Sequence, residues 1–228
     1  MAPYYHIRKY QDSDHKSVVD LFSRGMKEHI PATFTYMLML PRTLLLLLGI
    51  PLAVLLASGS WLLVLLSSLT LFVSLWLLAK YTWEKYIVKC LHTDLADITT
   101  TYLSSHDSGF WVAESRGQTV GMVAAVPVVD PLLQKKQLRL RHLSVSLEHR
   151  RGGIGKTMVR TVLQFAQVQG FSEVVLTTSM LQYSALALYH SMGFQKTGES
   201  FYTIISRLRK SPMIHLKYCF SSAQEGGL

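Results

Sequence analysis

One long apolar run interrupts a chain whose other hydrophobic residues follow the spacing of short strands and helices. Residues 43–79 contain no charged side chain, and leucine is their commonest residue. A single helix of that length, about 37 residues, would be roughly 55 Å long, whereas the hydrocarbon core of a bilayer is about 30 Å thick. The pattern therefore predicts a membrane-embedded helical hairpin over 43–79 that turns near Ser58, Gly59 and Ser60.

Positive charge at both ends of the apolar run predicts its orientation. Arg42 precedes the run, Lys80 follows it at once, and two more lysines come within the next ten residues. Lys and Arg next to membrane segments favour the cytosolic side, so we expect both ends to face the cytosol. Because Gly49 and Pro51 interrupt the first limb, a re-entrant hairpin and two full spans are both open, and a single span is an alternative.

Outside this run the hydrophobic pattern predicts a split α/β domain of the α+β kind, with a mixed central sheet and flanking helices. Residues 5–10 alternate as a strand does, and Asp12 or Ser13 is placed to cap a following helix. Residues 1–42 are thus predicted to hold the first strand and helix, 80–220 the remainder, and 221–228 a flexible tail. Both pieces must then lie on one side of the bilayer.

The remaining elements follow from β-branched runs and helical periodicity. Strands are predicted at 110–114, 119–126, 138–145, 172–178, 201–207 and 214–220, and helices at 93–104 and 158–167. Residues 116–118 are predicted to form a tight turn between the strands at 110–114 and 119–126.

A basic, glycine-rich loop joins the strand at 138–145 to the helix at 158–167. Glycine lets the backbone approach an anion closely, and a helix N-terminus presents unpaired N–H groups and a positive dipole end to it. The loop is therefore predicted to bind phosphate. Its residues are Arg150, Arg151, Gly152, Gly153, Ile154, Gly155 and Lys156.

Spacing separates the phosphate-binding signatures that could explain this loop. A P-loop needs four residues between its glycines, and only two separate Gly152 from Gly155. A dinucleotide-binding turn needs glycine where Met158 stands. The pattern Arg-x-x-Gly-x-Gly, from Arg150 through Gly153 to Gly155, remains, and it resembles the pyrophosphate loop of the GNAT (Gcn5-related) N-acetyltransferases. A strand-to-helix turn with a solvated basic face is the alternative without a ligand.

A second segment carries the same resemblance. Residues 185–194 read Ala-Leu-Ala-Leu-Tyr-His-Ser-Met-Gly-Phe, and in GNAT enzymes a helix that carries Ala and Tyr ends at Gly-Phe. Gly193 is placed to end this helix in a left-handed conformation, after which Phe194 can enter the core. The resemblance implies the GNAT acetyltransferase fold and an enzyme that uses acetyl-CoA as its acetyl donor, with no metal.

The resemblance also implies which groups hold the acetyl donor and protonate its sulfur. Backbone groups of Leu143 and Val145 are the expected partners of the pantetheine arm and the thioester oxygen. Tyr189 matches the tyrosine that protonates the leaving sulfur in many GNAT enzymes. An amphipathic core residue is the alternative role for Tyr189.

The chain departs from the GNAT pattern at the general base. Some GNAT enzymes carry a glutamate eleven residues before the loop arginine, where this chain has Arg139, which cannot accept a proton. Either a water chain takes the amine proton, or Glu114 or His142 does, although a lone histidine in a strand is more often only hydrogen-bonded. Arg139 and Arg141 could pair with a carboxylate of an amino-acid acceptor, or could form a solvated strand face.

From end to end the sequence resembles the camello-like N-acetyltransferases, in segments that include 41–44, 58–63, 110–114 and 148–151. This resemblance implies an enzyme of the endoplasmic-reticulum membrane or the ER–Golgi intermediate compartment, with its catalytic domain in the cytosol. Two acceptor classes are associated with the family: the α-amino group of cysteine S-conjugates and the ε-amino group of protein lysines, including histones. The expected partners are acetyl-CoA, an amine acceptor and the lipid bilayer. A catalytically inactive acyl-CoA-binding membrane scaffold is the alternative, because Arg139 replaces the carboxylate.

Charge and cysteine content narrow the remaining choices. The formal net charge of +9 suits CoA phosphates or anionic lipid headgroups. This charge is dispersed and no nucleic-acid-binding module accompanies it, so nucleic acid is not an expected partner. Two cysteines make at most one disulfide, and no oxidised scaffold is predicted. The sequence does not predict an oligomeric state.

Overall fold

The computed structural model describes residues 5–130, 136–201, 206–207 and 209–220. The chain divides into two compact units. One, which we call the sheet unit, joins the N-terminal segment up to Gly25 to the chain from Cys90 onward. The other, the helical unit, comprises Met26–Lys89 and therefore extends beyond both ends of the apolar run at 43–79.

The sheet unit contains both strands and helices, whereas the helical unit contains only helices. In the described residues the strands are β1 (His6–Lys9), β2 (Gly109–Ser115), β3 (Gln118–Pro127), β4 (Gln137–Val145), β5 (Glu173–Ser179), β6 (Gln195–Ser200) and β7 (Met213–Cys219). The α-helices are α1 (His15–Lys27), α2 (His29–Leu38), α3 (Pro41–Ser58), α4 (Trp61–Leu91), α5 (Ile154–Val168) and α6 (Tyr183–Ser191).

The strands form one mixed sheet in the order β1-β2-β3-β4-β5-β7-β6. Every neighbouring pair is antiparallel except β4 and β5, which run parallel. A parallel pair needs a crossover connection, and α5 supplies it. The prediction of a mixed central sheet with flanking helices is confirmed.

Helix α5 packs on the sheet because its apolar residues recur every three to four positions. Ile154, Met158, Val162 and Ala166 lie along one face and are buried in the main hydrophobic core. The helix starts directly after Gly153, whose φ of +82° is the left-handed conformation that favours glycine. Burial of this face fixes the start of α5 next to the end of β4.

The predicted helix at 93–104 is wrong in length. The chain forms turns through residue 96, and only one π-helical turn, Thr99–Leu103, follows. Asp97 accepts hydrogen bonds from the backbone N–H (2.9 Å) and the hydroxyl (2.7 Å) of Thr100. Such local side-chain bonds compete with helix formation, and three consecutive β-branched threonines disfavour a long helix further.

The predicted strand at 201–207 is also misplaced. Residues 202–205 lie outside the described residues, but Ser206 and Arg207 are helical, and the strand that follows α6 is β6, Gln195–Ser200. This strand starts directly after the turn at Gly193, which has φ +91°, and Phe194, which is buried. The predicted end of the helix at Gly193 is confirmed. Strand β6 begins earlier than the predicted strand at 201–207, because only Phe194 separates β6 from the turn at Gly193.

The two long apolar helices of the helical unit are separated by a break at the place where the hairpin turn was predicted. Helix α3 ends at Ser58, Gly59 is left-handed with φ +63°, and α4 starts at Trp61. Pro51 lies inside α3, and the helix continues through it. Both helices are long and apolar enough to cross a membrane, and only 6% of each apolar window is buried.

Helix α2 was not expected from the hydrophobic pattern. It packs against α4 through a small core that contains Ile30, Met37 and Ala79. The Trp83 indole N–H donates a hydrogen bond to the Thr33 hydroxyl at 2.8 Å, and the His29 ring lies 5.0 Å from the Trp83 ring. These contacts give α4 one covered face near its C-terminal end.

Candidate functional site

Strands β4 and β5 separate part-way along their length. They pair at Gln137, Leu138 and Arg139, and Arg139 opposite Val175 is the last pair. In the described residues, the edge of β4 beyond Arg139 therefore has no partner strand on the β5 side. Backbone N–H and C=O groups on such an edge need other partners, and an extended ligand can supply them.

A bulge lies in this unpaired part of β4. Arg141 pairs with Ala124 of β3 and Ser144 pairs with Met122, so His142 and Leu143 together oppose one residue. His142 has a positive φ of +54°, which is uncommon for a residue with a side chain. The bulge turns Arg141 and His142 to the same side of the sheet, where both side chains contact Asp94.

The glycine-rich loop forms the start of α5. The first hydrogen bond within this helix runs from Thr157 N–H to the Gly153 carbonyl at 3.0 Å. The N–H groups of Ile154, Gly155 and Lys156 thus precede the helical ladder and lie at the positive end of the helix dipole. Arg151 precedes them in a left-handed conformation, with φ +64°. This geometry fits a bound phosphate.

Gly155 lies where three elements meet. A Cβ atom at this position would lie 3.3 Å from Leu188 Cδ2 of α6 and 3.8 Å from Val145 Cγ2 of β4. Arg150 Nε donates a hydrogen bond to the Val145 carbonyl at 2.9 Å, so the loop is also tied to β4 by a side chain. The start of α5, the end of β4 and α6 therefore converge at one point.

Tyr189 lies on α6, one residue after Leu188. Its side chain is 5% exposed and packs against the Phe194 ring at 5.5 Å. Burial raises the pKa of the Tyr189 phenol well above its ordinary value. The hydroxyl is therefore protonated at neutral pH, and it is a weaker acid than an exposed tyrosine.

Asp94 collects three donors on one carboxylate oxygen. His142 Nε2 lies 2.5 Å from Oδ2, the Tyr102 hydroxyl donates to it at 2.6 Å, and Arg141 Nη1 lies 3.2 Å away. Burial alone would raise the pKa of Asp94. The hydrogen bond and charge of His142, together with Tyr102 and Arg141, outweigh burial and hold that pKa well below its usual range.

Comparison with known proteins identifies the family. Residues 75–194, more than half of the chain, match the model of the acetyltransferase (GNAT) family. The chain belongs to the GNAT family. The mouse (Mus musculus) proteins named N-acetyltransferase family 8 member 7 and member 3 are each 80% identical to it over 228 residues, 100% of both chains. Human (Homo sapiens) N-acetyltransferase 8B is 58% identical over 228 residues, again 100% of both chains.

The fold is also found in solved structures. The crystal structure of a GNAT-family acetyltransferase from Staphylococcus aureus matches 96% of this chain and 100% of its own, with a TM-score of 0.59 and 15% sequence identity. At that identity the match concerns the fold alone. The predicted GNAT fold and camello-like membership are thus confirmed, and the chain is an acetyl-CoA-dependent N-acetyltransferase.

The structure places the predicted cofactor residues on three elements and the predicted bases in other surroundings. Val145 and the loop at 150–156 meet at Gly155, whereas Leu143 lies two residues before Val145 on β4 and Tyr189 follows Leu188 on α6. Glu114 lies on β2, where its carboxylate accepts a hydrogen bond from Arg8 Nε at 2.8 Å, and Arg8 also bonds both carboxylate oxygens of Asp14. Glu114 is thus part of an ion-pair network.

The remaining candidates on β4 have different surroundings. The His142 side chain is 2% exposed and bound to Asp94, whereas Arg139 is exposed on the strand. Sequence analysis missed Asp94 and Tyr102, which follow the apolar run in an irregular segment. The only sequence signal for Asp94 is a carboxylate among hydroxyl and apolar residues in 93–104, a pattern too common to mark a site.

Proposed function

We propose that this GNAT-family chain transfers the acetyl group of acetyl-CoA to an amine in the opening between β4 and β5. The convergence of the α5 start, the β4 end and α6 at Gly155 carries this proposal. In it, the pyrophosphate binds the N–H groups of 154–156, and Arg150, Arg151 and Lys156 add positive charge. The pantetheine arm then follows the β4 edge at Leu143 and Val145.

The transfer requires three changes of bonding. The amine nitrogen forms a bond to the acetyl carbon, the carbon–sulfur bond breaks, and the amine loses a proton while the sulfur gains one. We assign the proton given to sulfur to Tyr189, because it follows Leu188 on α6, whose side chain lies beside the start of α5 at Gly155. Glu114 and His142 are already bound to Arg8 and Asp94, so we assign removal of the amine proton to water.

The acceptor proposal starts from charge next to the opening. Arg139 is exposed at the last β4–β5 pair, where it could bind a carboxylate of the acceptor. This favours the α-amino group of a cysteine S-conjugate, which carries an adjacent carboxylate. The ε-amino group of a protein lysine, including histone lysine, is the second candidate.

We further propose that α3 and α4 anchor the chain in the endoplasmic-reticulum membrane, with the sheet unit in the cytosol. The uncharged part of α4, residues 61–79, would be about 28 Å long as a helix, close to the thickness of the hydrocarbon core. Helix α3, with 18 residues, would be about 27 Å long. These lengths favour two full spans over a re-entrant hairpin.

The first experiment tests the binding loop in the full chain in detergent. Gly155→Val should weaken acetyl-CoA binding by more than about tenfold, because the new side chain would meet Leu188 and Val145. Gly198→Val is the matched control, since a Cβ there has no neighbour closer than 3.9 Å. Lys156→Ala tests the same loop at an exposed side chain that does not affect packing. Unchanged affinity for acetyl-CoA in both loop variants would refute the proposed binding of acetyl-CoA by this loop.

The second experiment tests the acceptor. The purified chain is given acetyl-CoA with S-benzylcysteine or a histone-tail peptide, and released thiol is measured. Arg139→Gln should raise the KM for S-benzylcysteine and leave that for the peptide unchanged. An equal change in the KM for both acceptors would contradict the proposal that Arg139 binds the acceptor carboxylate. If neither acceptor causes thiol release, the inactive scaffold is favoured.

A further inference from the structure

We infer that Asp94 is a positioning residue for acetyl transfer: its carboxylate fixes the β4 bulge through Arg141 and His142, and so places the Leu143 backbone. The inference rests on the proposed function, because it concerns the same opening beside β4. It assigns no chemical step to Asp94. The contacts of Asp94 explain why an irregular strand keeps one geometry.

The first support is the number of donors that converge on Asp94. Oδ2 receives His142, Tyr102 and Arg141, and Oδ1 accepts a hydrogen bond from the Thr93 hydroxyl at 3.1 Å. The Asp94 side chain is 10% exposed and that of His142 is 2% exposed. A carboxylate is stable at such depth only when charged or polar partners replace its water. Two of these partners are neighbouring residues of the bulge.

The second support is the backbone of His142. A φ of +54° is costly for a residue with a side chain and persists only where the surroundings impose it. The bond to Asp94 holds the imidazole on one side. The Phe22 ring of α1 packs edge-on against it at 5.2 Å. Together they explain why the strand keeps its extra residue.

The third support is the place of the bulge in the strand. It follows the end of the β4–β5 pairing at Arg139 and precedes Val145, whose carbonyl is bound by Arg150. The backbone of Leu143 is thus the part of the proposed cofactor path that neither neighbouring strand pairing nor the loop fixes. The Asp94 cluster is the element that fixes it.

The same geometry argues against His142 as the general base. Its Nε2 atom is bound to Asp94, and almost none of its side chain is exposed. An acceptor amine could reach the ring only if the cluster opened. Removal of Asp94 would instead leave Arg141 and His142 without their shared anion. The bulge would then loosen while the loop at 150–156 stayed intact.

The test compares Asp94→Asn with wild type in the full chain in detergent. Hydrogen exchange should become at least tenfold faster over 141–145 and stay unchanged over 154–165. The kcat should fall at least tenfold. The Kd for CoA should change by a much smaller factor, because CoA keeps its pyrophosphate contacts with the loop at 150–156 and has no thioester oxygen for Leu143 to bind. A role in stability alone would not separate kcat from CoA affinity in this way.

Two controls accompany this variant. Asp97→Asn makes the same change three residues away, where the carboxylate is exposed and binds Thr100, and it should leave kcat and exchange over 141–145 unchanged. Ile98→Ala removes a buried side chain from the same segment. It should lower the melting temperature and leave kcat unchanged below that temperature.

The outcomes separate this inference from the proposed function. Equal exchange over 141–145 in wild type and Asp94→Asn would overturn the inference, as would a parallel loss of kcat and CoA affinity. Faster exchange over the whole sheet unit would also overturn it, because Asp94 would then serve stability only. Wild type without turnover on any amine would refute the proposed function, and the exchange measurement would still decide what Asp94 holds.

Discussion

Helices α4 and α5 are both rich in apolar residues, but they differ in what covers those residues. In α5 one face is buried against the sheet, and an apolar residue off that face, Val168, is 83% exposed. In α4 exposed apolar side chains lie on all sides over most of its length, and 6% of its apolar window is buried. A helix with one apolar stripe completes a protein core, whereas a helix that is apolar all round needs lipid or another protein. The one-sided apolar stripe of α5 and the all-round apolar surface of α4 therefore distinguish the two units.

The largest effect is expected from a charge on the buried face of α5. Val162 is fully buried, so Val162→Asp places an unpaired carboxylate in the core and should cost about 4 kcal/mol of unfolding free energy. Thermal unfolding in detergent measures this loss. Val168→Asp makes the same change on the exposed side of the helix and should stay within about 0.5 kcal/mol of wild type. Similar losses in both would contradict the one-sided burial of α5.

A charge in the middle of α4 tests the opposite expectation. Leu69 is 58% exposed in the helical unit, so Leu69→Lys should not destabilise the sheet unit in detergent. In a membrane the same lysine should cost about 3 kcal/mol of insertion free energy. Alkaline extraction of microsomes should therefore release more of this variant than of wild type. Val88→Lys, near the lysines at the end of α4, is the control, and equal extraction of all three proteins would argue against a span through residue 69.

The Trp83–Thr33 hydrogen bond between α4 and α2 should have a smaller effect. Thr33→Val removes the acceptor of the Trp83 indole N–H, a buried bond that should contribute about 1 kcal/mol. The protein should then lose α2 packing at a lower temperature, measured by protease cleavage between residues 28 and 40. Thr35→Val changes an exposed threonine of the same helix and should leave the cleavage pattern unchanged.

The sequence predicted every strand of the sheet except β6, because each of the others carries its own local signal. Alternation marks the β2–β3 hairpin, and its two turn residues, Arg116 and Gly117, both have the positive φ that the tight turn requires. Gly193 marks the end of α6 for the same reason. The segment at 93–104 failed because its fold depends on contacts with other elements, such as the Thr99 hydroxyl with Asp12 at 2.5 Å.

The candidate site was predictable to the same extent. The loop at 150–156 could be found because the spacing of its glycines is itself the signal, and Tyr189 because it precedes Gly-Phe at a fixed distance. Asp94 could not be found, since about fifty residues separate it from His142 and nothing local marks the pair. Positive φ at His142 was equally hidden, because no glycine or asparagine stands there.

Acid should affect the two units differently, and this is the smallest effect that we expect. In the sheet unit the hydrogen bond and charge of Arg8 hold the pKa of Asp14 below its ordinary value. The stabilisation of the sheet unit by ionised Asp14 should therefore be complete above about pH 4, and it should fall as the pH drops towards the folded-state pKa of Asp14. Unfolding of wild type and Asp14→Asn, compared from pH 7 to pH 3, should thus differ most at pH 7 and converge in acid. In the helical unit the Lys80–Glu84 ion pair is exposed on one helix. Glu84→Gln should therefore change the stability of this unit little at either pH. A large effect of acid on this unit would show that charge, and not apolar packing, holds it together.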